Sequence, residues 1–120
     1  MNLTSIGCYI NDKYRIALSR LRLCSHSLEI EVGRYNNVAR LDRKCKLCNT
    51  NMVESEFHFM LCCPFYYDLR LQYNISSSWN TLHKFRFTMS SKNKNTIRYV
   101  SKYIYNAMLR RSVSIDAVAS

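Results

Sequence analysis

From Asp12 to Leu28 the apolar residues Tyr14, Ala17, Leu18, Leu21, Cys24 and Leu28 recur at intervals of three and four, with Arg15, Arg20 and Arg22 between them. That spacing predicts an amphipathic helix capped by Asn11 or Asp12 and stopping near Cys24 to Leu28, where Ser25 and Ser27 weaken it. Glu29 to Leu41 is less periodic, and Gly33 with Asn36-Asn37 predicts a turn-bearing connector. A local helical pattern returns from Val53 to Cys62, with Phe57, Met60 and Leu61 facing a core. Pro64 lacks an amide hydrogen and restricts its predecessor, so it ends that helix or starts another. Phe65, Tyr66, Leu69 and Tyr73 then form the apolar face of a short second helix.

Trp79, Leu82, Phe85 and Met89 have helical spacing within a short element, and Ser90 to Asn95 reads as an exposed loop. The strongest remaining pattern runs from Thr96 to Arg111. There Ile97, Val100, Ile104 and Met108 form a stripe that Tyr103 and Ala107 widen, and Arg98, Lys102, Arg110 and Arg111 are expected on the remaining surface. With only 2 Gly and 1 Pro in 120 residues, long helices are favoured over a turn-rich β fold. The length suits one compact, mainly α domain, because a second hydrophobic core would need many more residues.

Charge narrows the partners. The formal net charge of +10 suits a polyanion, and it is uneven: residues 61–120 carry nine basic and two acidic side chains, residues 1–60 nine and six. No apolar run approaches the roughly 20 residues that span a bilayer, and Met1 to Ile10 does not resemble a secretion signal. An intracellular location, nuclear or cytoplasmic, with no membrane contact, is therefore expected.

The six cysteines, at 8, 24, 45, 48, 62 and 63, are more informative than the rest of the composition. In a reducing compartment disulfides do not persist, which turns attention to metal ligation. Cys45-Lys46-Leu47-Cys48 places two thiols on one tight turn; His58 follows after nine residues, and Cys62 and Cys63 stand four and five positions beyond it. Two thiolates, an imidazole and a third thiolate make a tetrahedral zinc set, and sulfur with nitrogen excludes calcium and magnesium as preferred ions. With four protein ligands no coordination position stays open for an activated water, so the metal is expected to be structural. On an ideal helix Cys62 shares the face of His58, whereas Pro64 can redirect Cys63, so spacing alone leaves both thiols open as the fourth ligand. Cys8 and Cys24 are read as core packing, and His26 and His83 as exposed or hydrogen-bonded groups.

The ordered set Arg43-Lys44-Cys45-Lys46-Leu47-Cys48, Val53-Glu54-Ser55-Glu56-Phe57-His58-Phe59-Met60-Leu61, Cys62-Cys63-Pro64 and Tyr67-Asp68-Leu69-Arg70 resembles the zinc-binding region that follows the polymerase domain in reverse transcriptases of animal non-LTR retrotransposons. Leu21-Arg22, His26-Ser27-Leu28 and Gly33-Arg34 resemble its lead-in. The resemblance implies Cys45, Cys48, His58 and Cys63 as ligands, Cys63-Pro64 matching the family's Cys-Pro ending. Ser55 departs from an acidic residue often found between the two glutamates, and Cys62 occupies a position that is usually apolar. It also implies handling of RNA or target DNA by a detached tail of such an element, with the polymerase body as a possible protein partner.

Polymerase chemistry is not expected, since the chain has no adjacent aspartate pair to hold catalytic metals and is too short for a polymerase body. Thiol catalysis by Cys45 or Cys48 with His58 is a weaker use of the same residues than metal binding. The expected layout is an N-terminal helix and connector over 1–39, a zinc-binding module over 40–73 and a basic helical segment over 74–120, all in one domain. Arg40, Arg43, Lys44, Lys46, Arg98, Lys102, Arg110 and Arg111 are the candidate phosphate contacts, and Tyr35, Tyr66, Tyr67 and Trp79 the candidate stacking surfaces for RNA or single-stranded DNA. The alternative is a protein-interaction module, in which Tyr99, Tyr103 and Ile104 dock on a polymerase body or on a second copy.

Overall fold

A computed structural model describes residues 12–75 and 81–119. Among the described residues five α-helices follow in order: α1 (Asp12–Arg22), α2 (Glu29–Tyr35), α3 (Tyr67–Gln72), α4 (Leu82–Met89) and α5 (Lys94–Ala119). Among the described residues the β structure is limited to an isolated antiparallel bridge between Lys44 and Val53. The fold is thus a small, mainly α-helical domain.

The two long patterns form helices as expected, and α1 packs along α5. Leu18 and Leu21 from α1 meet Val100, Tyr103, Ile104 and Ala107 from α5 in a core that also takes Leu28, Phe59, Met60, Tyr66 and Leu69. At its centre Tyr66 packs edge-to-face with Phe59 and Tyr103, which are tilted against each other, with centroids 5.0 to 6.5 Å apart. The Tyr103 hydroxyl, which would otherwise be an unsatisfied buried donor, reaches the carbonyl of Phe59 at 2.6 Å.

Helix α1 ends earlier than its apolar pattern suggests. Ser25 N–H donates to the carbonyl of Arg20, and Cys24 between them takes a left-handed conformation at φ 57°. The same closure ends α2, where Val38 N–H reaches Gly33 and Asn37 sits at φ 58°, and α3, where Ile75 N–H reaches Arg70 and Asn74 sits at φ 55°. Such six-to-one bonds satisfy carbonyls that a helix end leaves bare. Asparagine tolerates the left-handed region well; cysteine does so less readily, so the stop at Cys24 left no turn signature.

The connector expected over residues 29–41 is instead largely helix α2. Leu28 at its N-terminus offers no side-chain cap. The cap comes from far along the chain: Glu29 N–H donates to Glu54 Oε1 at 2.8 Å and Ile30 N–H to the Glu54 carbonyl at 3.1 Å. Gly33 lies within the helix because Arg43 crosses it, where a Cβ would stand 2.5 Å from Arg43 Cγ. Asn36 and Asn37 still mark the turn, at the end of the helix that contains the glycine.

At the other end of the chain α5 begins two residues before Thr96, because Asn93 Oδ1 accepts from the amides of Asn95 and Thr96 at 3.0 and 3.1 Å. The loop before it is correspondingly shorter than the stretch to Asn95. Asn11, Trp79 and Cys8, named above as cap, stacking surface and core residue, lie outside the described residues.

Candidate metal centre

The Cys45-Cys48 turn is held at the base of a narrow two-stranded loop. Cys45 N–H donates to the Met52 carbonyl, Glu54 N–H to the Arg43 carbonyl, and Asn51 turns the chain at φ 62°. This pinch aims Cys45 and Cys48 at the helix that starts after Ser55, whose hydroxyl accepts from His58 N–H at 3.2 Å. From His58 to Cys62 that helix is wound as a π-turn, closed by Cys63 N–H on the His58 carbonyl at 2.8 Å. A π-turn carries an extra residue per turn and recurs at functional sites. Here it brings the fifth residue after His58, rather than the fourth, toward the histidine's side.

Cys45, Cys48, His58 and Cys63 consequently place one donor atom each within 4.8 Å of one another. Cys62 stays outside this group, and burial raises its thiol pKa. Cys45 Sγ and Cys63 Sγ are 3.9 Å apart, and Cys48 Sγ is 3.5 Å from His58 Nε2. Tetrahedral zinc with Zn–S bonds of ~2.3 Å and Zn–N bonds of ~2.0 Å sets two thiolates ~3.8 Å apart and a thiolate and imidazole ~3.5 Å apart. The donor set therefore has both the chemistry and the spacing of a zinc-binding site.

Neighbouring groups favour the thiolate at Cys45. The S–H of Cys63 facing Cys45 lowers the pKa of Cys45 against the opposing effect of burial, and the Leu47 amide and His58 add to the lowering. The same contact raises Cys63, whose thiolate in turn has the Phe65 amide as donor. Each of these cysteines is thus served by the amide two residues on, and the Thr50 hydroxyl lies 3.1 Å from Cys48 Sγ. Only the ligand types, not these supporting donors, stood out in the sequence. Zinc in this site would cross-link the loop, the π-turn and the start of the following helix.

The basic residues named from the sequence divide into two groups. Arg111 is not on the surface: its guanidinium meets Glu54 at 2.7 and 2.8 Å and Glu29 at 3.4 Å inside the protein. It replaces a surface cation by an internal tie because Glu54, itself buried, requires a countercharge. Arg43 spends its donors on the carbonyls of Val38 and Ile30, and Arg110 is clamped on Asp68 by two bonds of 2.8 Å. Arg40 and Lys46 are exposed, Lys46 at 3.7 Å from Glu29, while Lys44, Arg98 and Lys102 are half-buried.

The aromatic residues divide likewise. Tyr66 is fully buried, whereas Tyr35 is 75% and Tyr67 61% exposed. Tyr103 and Ile104 are consumed by the core, which leaves Tyr99 alone of the three residues expected to dock on a partner.

His26 proves to be a buried hydrogen-bonding residue, its Nε2 2.6 Å from Glu56 Oε2. Burial pushes the Glu56 carboxyl up, but the His26 contact, the Glu56 amide and the His26 and Arg40 charges together carry it below its ordinary value. Cys24, Glu31 and Glu56 also converge, but Glu31 is bonded to Arg34 and Glu56 to His26. No known family model, curated protein or solved structure matches the chain.

Proposed function

We propose that the chain is a non-catalytic module in which a structural zinc shapes a cationic surface for RNA or single-stranded DNA, in the manner of a detached reverse-transcriptase tail. One observation carries the reading. Tyr35, at the end of α2, is an exposed ring backed by the Arg34 guanidinium 4.9 Å from its centroid, and α2 packs against the turn that carries Arg40. Arg34 is itself anchored by bonds of 3.0 and 2.7 Å to Glu31.

A braced aromatic face offers stacking to any unpaired base, and the cations of the metal loop, Arg40, Lys44 and Lys46, offer phosphate contacts. The excess of ten positive charges supports a polyanionic partner, and the likeness of the Cys, His and Cys-Pro motifs to retrotransposon reverse transcriptases supports nucleic acid as that partner. Arg98 and Lys102 extend the candidate surface along α5. Arg43, Arg110 and Arg111 serve the fold.

Titration of zinc-loaded protein with labelled single-stranded RNA, followed by anisotropy, tests this. Three phosphate contacts predict a salt slope of about −2, or a loss of roughly fifteen- to twentyfold between 50 and 200 mM salt. Tyr35→Ala should weaken binding by about five- to a hundredfold at either salt, and Lys44→Glu with Lys46→Glu should flatten the salt slope. Absence of a salt-sensitive complex at micromolar protein overturns the reading.

A further inference from the structure

Helix α4 is fixed on one side and open on the other. Phe85 is buried and meets the Phe57 ring edge-to-face at 5.4 Å, and Met89, one turn on, packs against the same core. With about 3.6 residues per turn, Phe87 falls on the outward face with Lys84 to one side and Arg86 to the other. All three are exposed, Phe87 by 74%. The chain then turns through residues 90–93, where Arg22 of α1 donates to the carbonyls of Met89 and Ser91 at 2.8 and 3.3 Å. Exposed Lys92 and Lys94 stand on either side of Asn93, which caps α5.

Among the described residues no carboxylate pairs with Lys84, Arg86, Lys92 or Lys94, whereas Arg34, Arg110 and Arg111 are each tied to one. The sequence explains why: residues 69–115 carry nine Lys and Arg and no Asp or Glu, and residues 1–11, 76–80 and 120 hold no Asp or Glu either. Asp116 stands 22 positions beyond Lys94 on α5, about 33 Å along the helix. The carboxylate nearest the corner is Glu56, which lines a groove between α1 and α4 with Arg22 and Arg86 and is held by His26 Nε2 at 2.6 Å.

An exposed ring set among unpaired cations has the make-up of a single-strand site, where bases stack on aromatic faces and phosphates meet Lys and Arg. Because Phe85 and Met89 are spent on the core, Phe87 is the one large apolar side chain on the outward face of α4 among the described residues. One ring is too small a footprint for a bilayer or for the apolar centre of a protein interface. We propose that the α4–α5 corner is a second contact site for single-stranded RNA or DNA, with Phe87 stacked on a base and Lys84, Arg86, Lys92 and Lys94 on the flanking phosphates. The site rests on the nucleic-acid reading above but uses none of the residues assigned there.

The test titrates the zinc-loaded full chain with oligouridylate and follows the backbone amide signals. Those of residues 84–95 should shift saturably. Read from these signals, Phe87→Ala should weaken oligouridylate by about five- to a hundredfold, and it should leave unchanged any contact with polyglutamate, which carries charge without bases. Lys84→Glu with Arg86→Glu should lower the magnitude of the salt slope by about 1.4. Tyr35→Ala should leave the shifts at 84–95 in place at saturating oligouridylate. The substituted side chains are exposed, and equal thermal midpoints verify that the variants are folded.

Oligouridylate that shifts the Tyr35 amide but not residues 84–95 overturns the proposal while leaving the reading above intact, as does binding at the corner that Phe87→Ala does not weaken. Absence of any salt-sensitive complex overturns both. Shifts at 84–95 produced by anionic phospholipid vesicles or by polyglutamate, and not by oligouridylate, overturn the proposal by assigning the corner to a membrane surface or an acidic protein.

Discussion

Arg111 and Glu54 lie 57 positions apart in the chain and are joined by two hydrogen bonds, Nε to Oε2 at 2.8 Å and an Nη to Oε1 at 2.7 Å, with side chains only 6% and 1% exposed. Glu54 also caps α2 through the Glu29 amide. One carboxylate thus ties the metal-bearing loop to α2 and to the C-terminal helix.

Arg111→Met should lower the unfolding free energy by about 3–5 kcal/mol, because it strands a buried carboxylate. The double variant Arg111→Met with Glu54→Gln should lose less than the sum of the single losses, since the second change removes the stranded charge. Urea unfolding at fixed free zinc measures both. Additive losses would show that the two residues act separately.

Cys45→Ser, His58→Ala and Cys63→Ser should each abolish stoichiometric zinc in native mass spectrometry of the reduced protein, and Cys62→Ser should retain one ion per chain. Chelation should release the amides of the 43–63 segment to hydrogen exchange, because metal binding contributes directly to folding in sites of this kind. Retention of zinc by Cys63→Ser and its loss from Cys62→Ser would transfer the fourth ligand to Cys62.

Gly33→Ala should destabilise the protein by about 1–3 kcal/mol even though alanine favours a helix by about 1 kcal/mol. The added methyl would meet Arg43 at Cγ and Cδ, near the fixed end of a side chain whose guanidinium is held by the Val38 and Ile30 carbonyls. Thermal unfolding checks the sign. A stabilised Gly33→Ala variant would mean that Arg43 can move aside freely.

The Arg110 guanidinium holds the Asp68 carboxyl down at about 2, against an ordinary value of 3.8. A carboxyl lowered on folding stabilises the protein above its unfolded pKa, and that contribution disappears as pH falls from about 4 to about 2. The carboxyl carbon shift of Asp68 should therefore titrate near 2 and return toward 3.8 in Arg110→Ala. Added salt should narrow the difference, because the pair is open to solvent.

The long helices and the ligand types were legible in the chain because both are repeated or closely spaced patterns. A stripe of Ile97, Val100, Ile104 and Met108 has one economical burial, and two thiols with two residues between them, followed by a histidine and a further thiol, match a tetrahedral metal set. Helix α2 was not legible: its seven residues include a glycine, and its cap is the remote Glu54. Arg111 was misplaced for a related reason. On α5 it resembles any cation beside an apolar stripe, and nothing local reveals a carboxylate 57 positions away. The choice between Cys62 and Cys63 needed the backbone, since the deciding feature is the pitch of one turn.

That turn also gives the metal site an uneven response to changes in chain length. Removing one residue from among Phe59, Met60 and Leu61 would let the segment relax to ordinary α pitch with the Cys63 thiol now four places from His58, still on the histidine's face. Adding one would require a wider turn still, or would swing the thiol away. The surplus residue is a margin that a deletion can consume without losing a ligand and an insertion cannot.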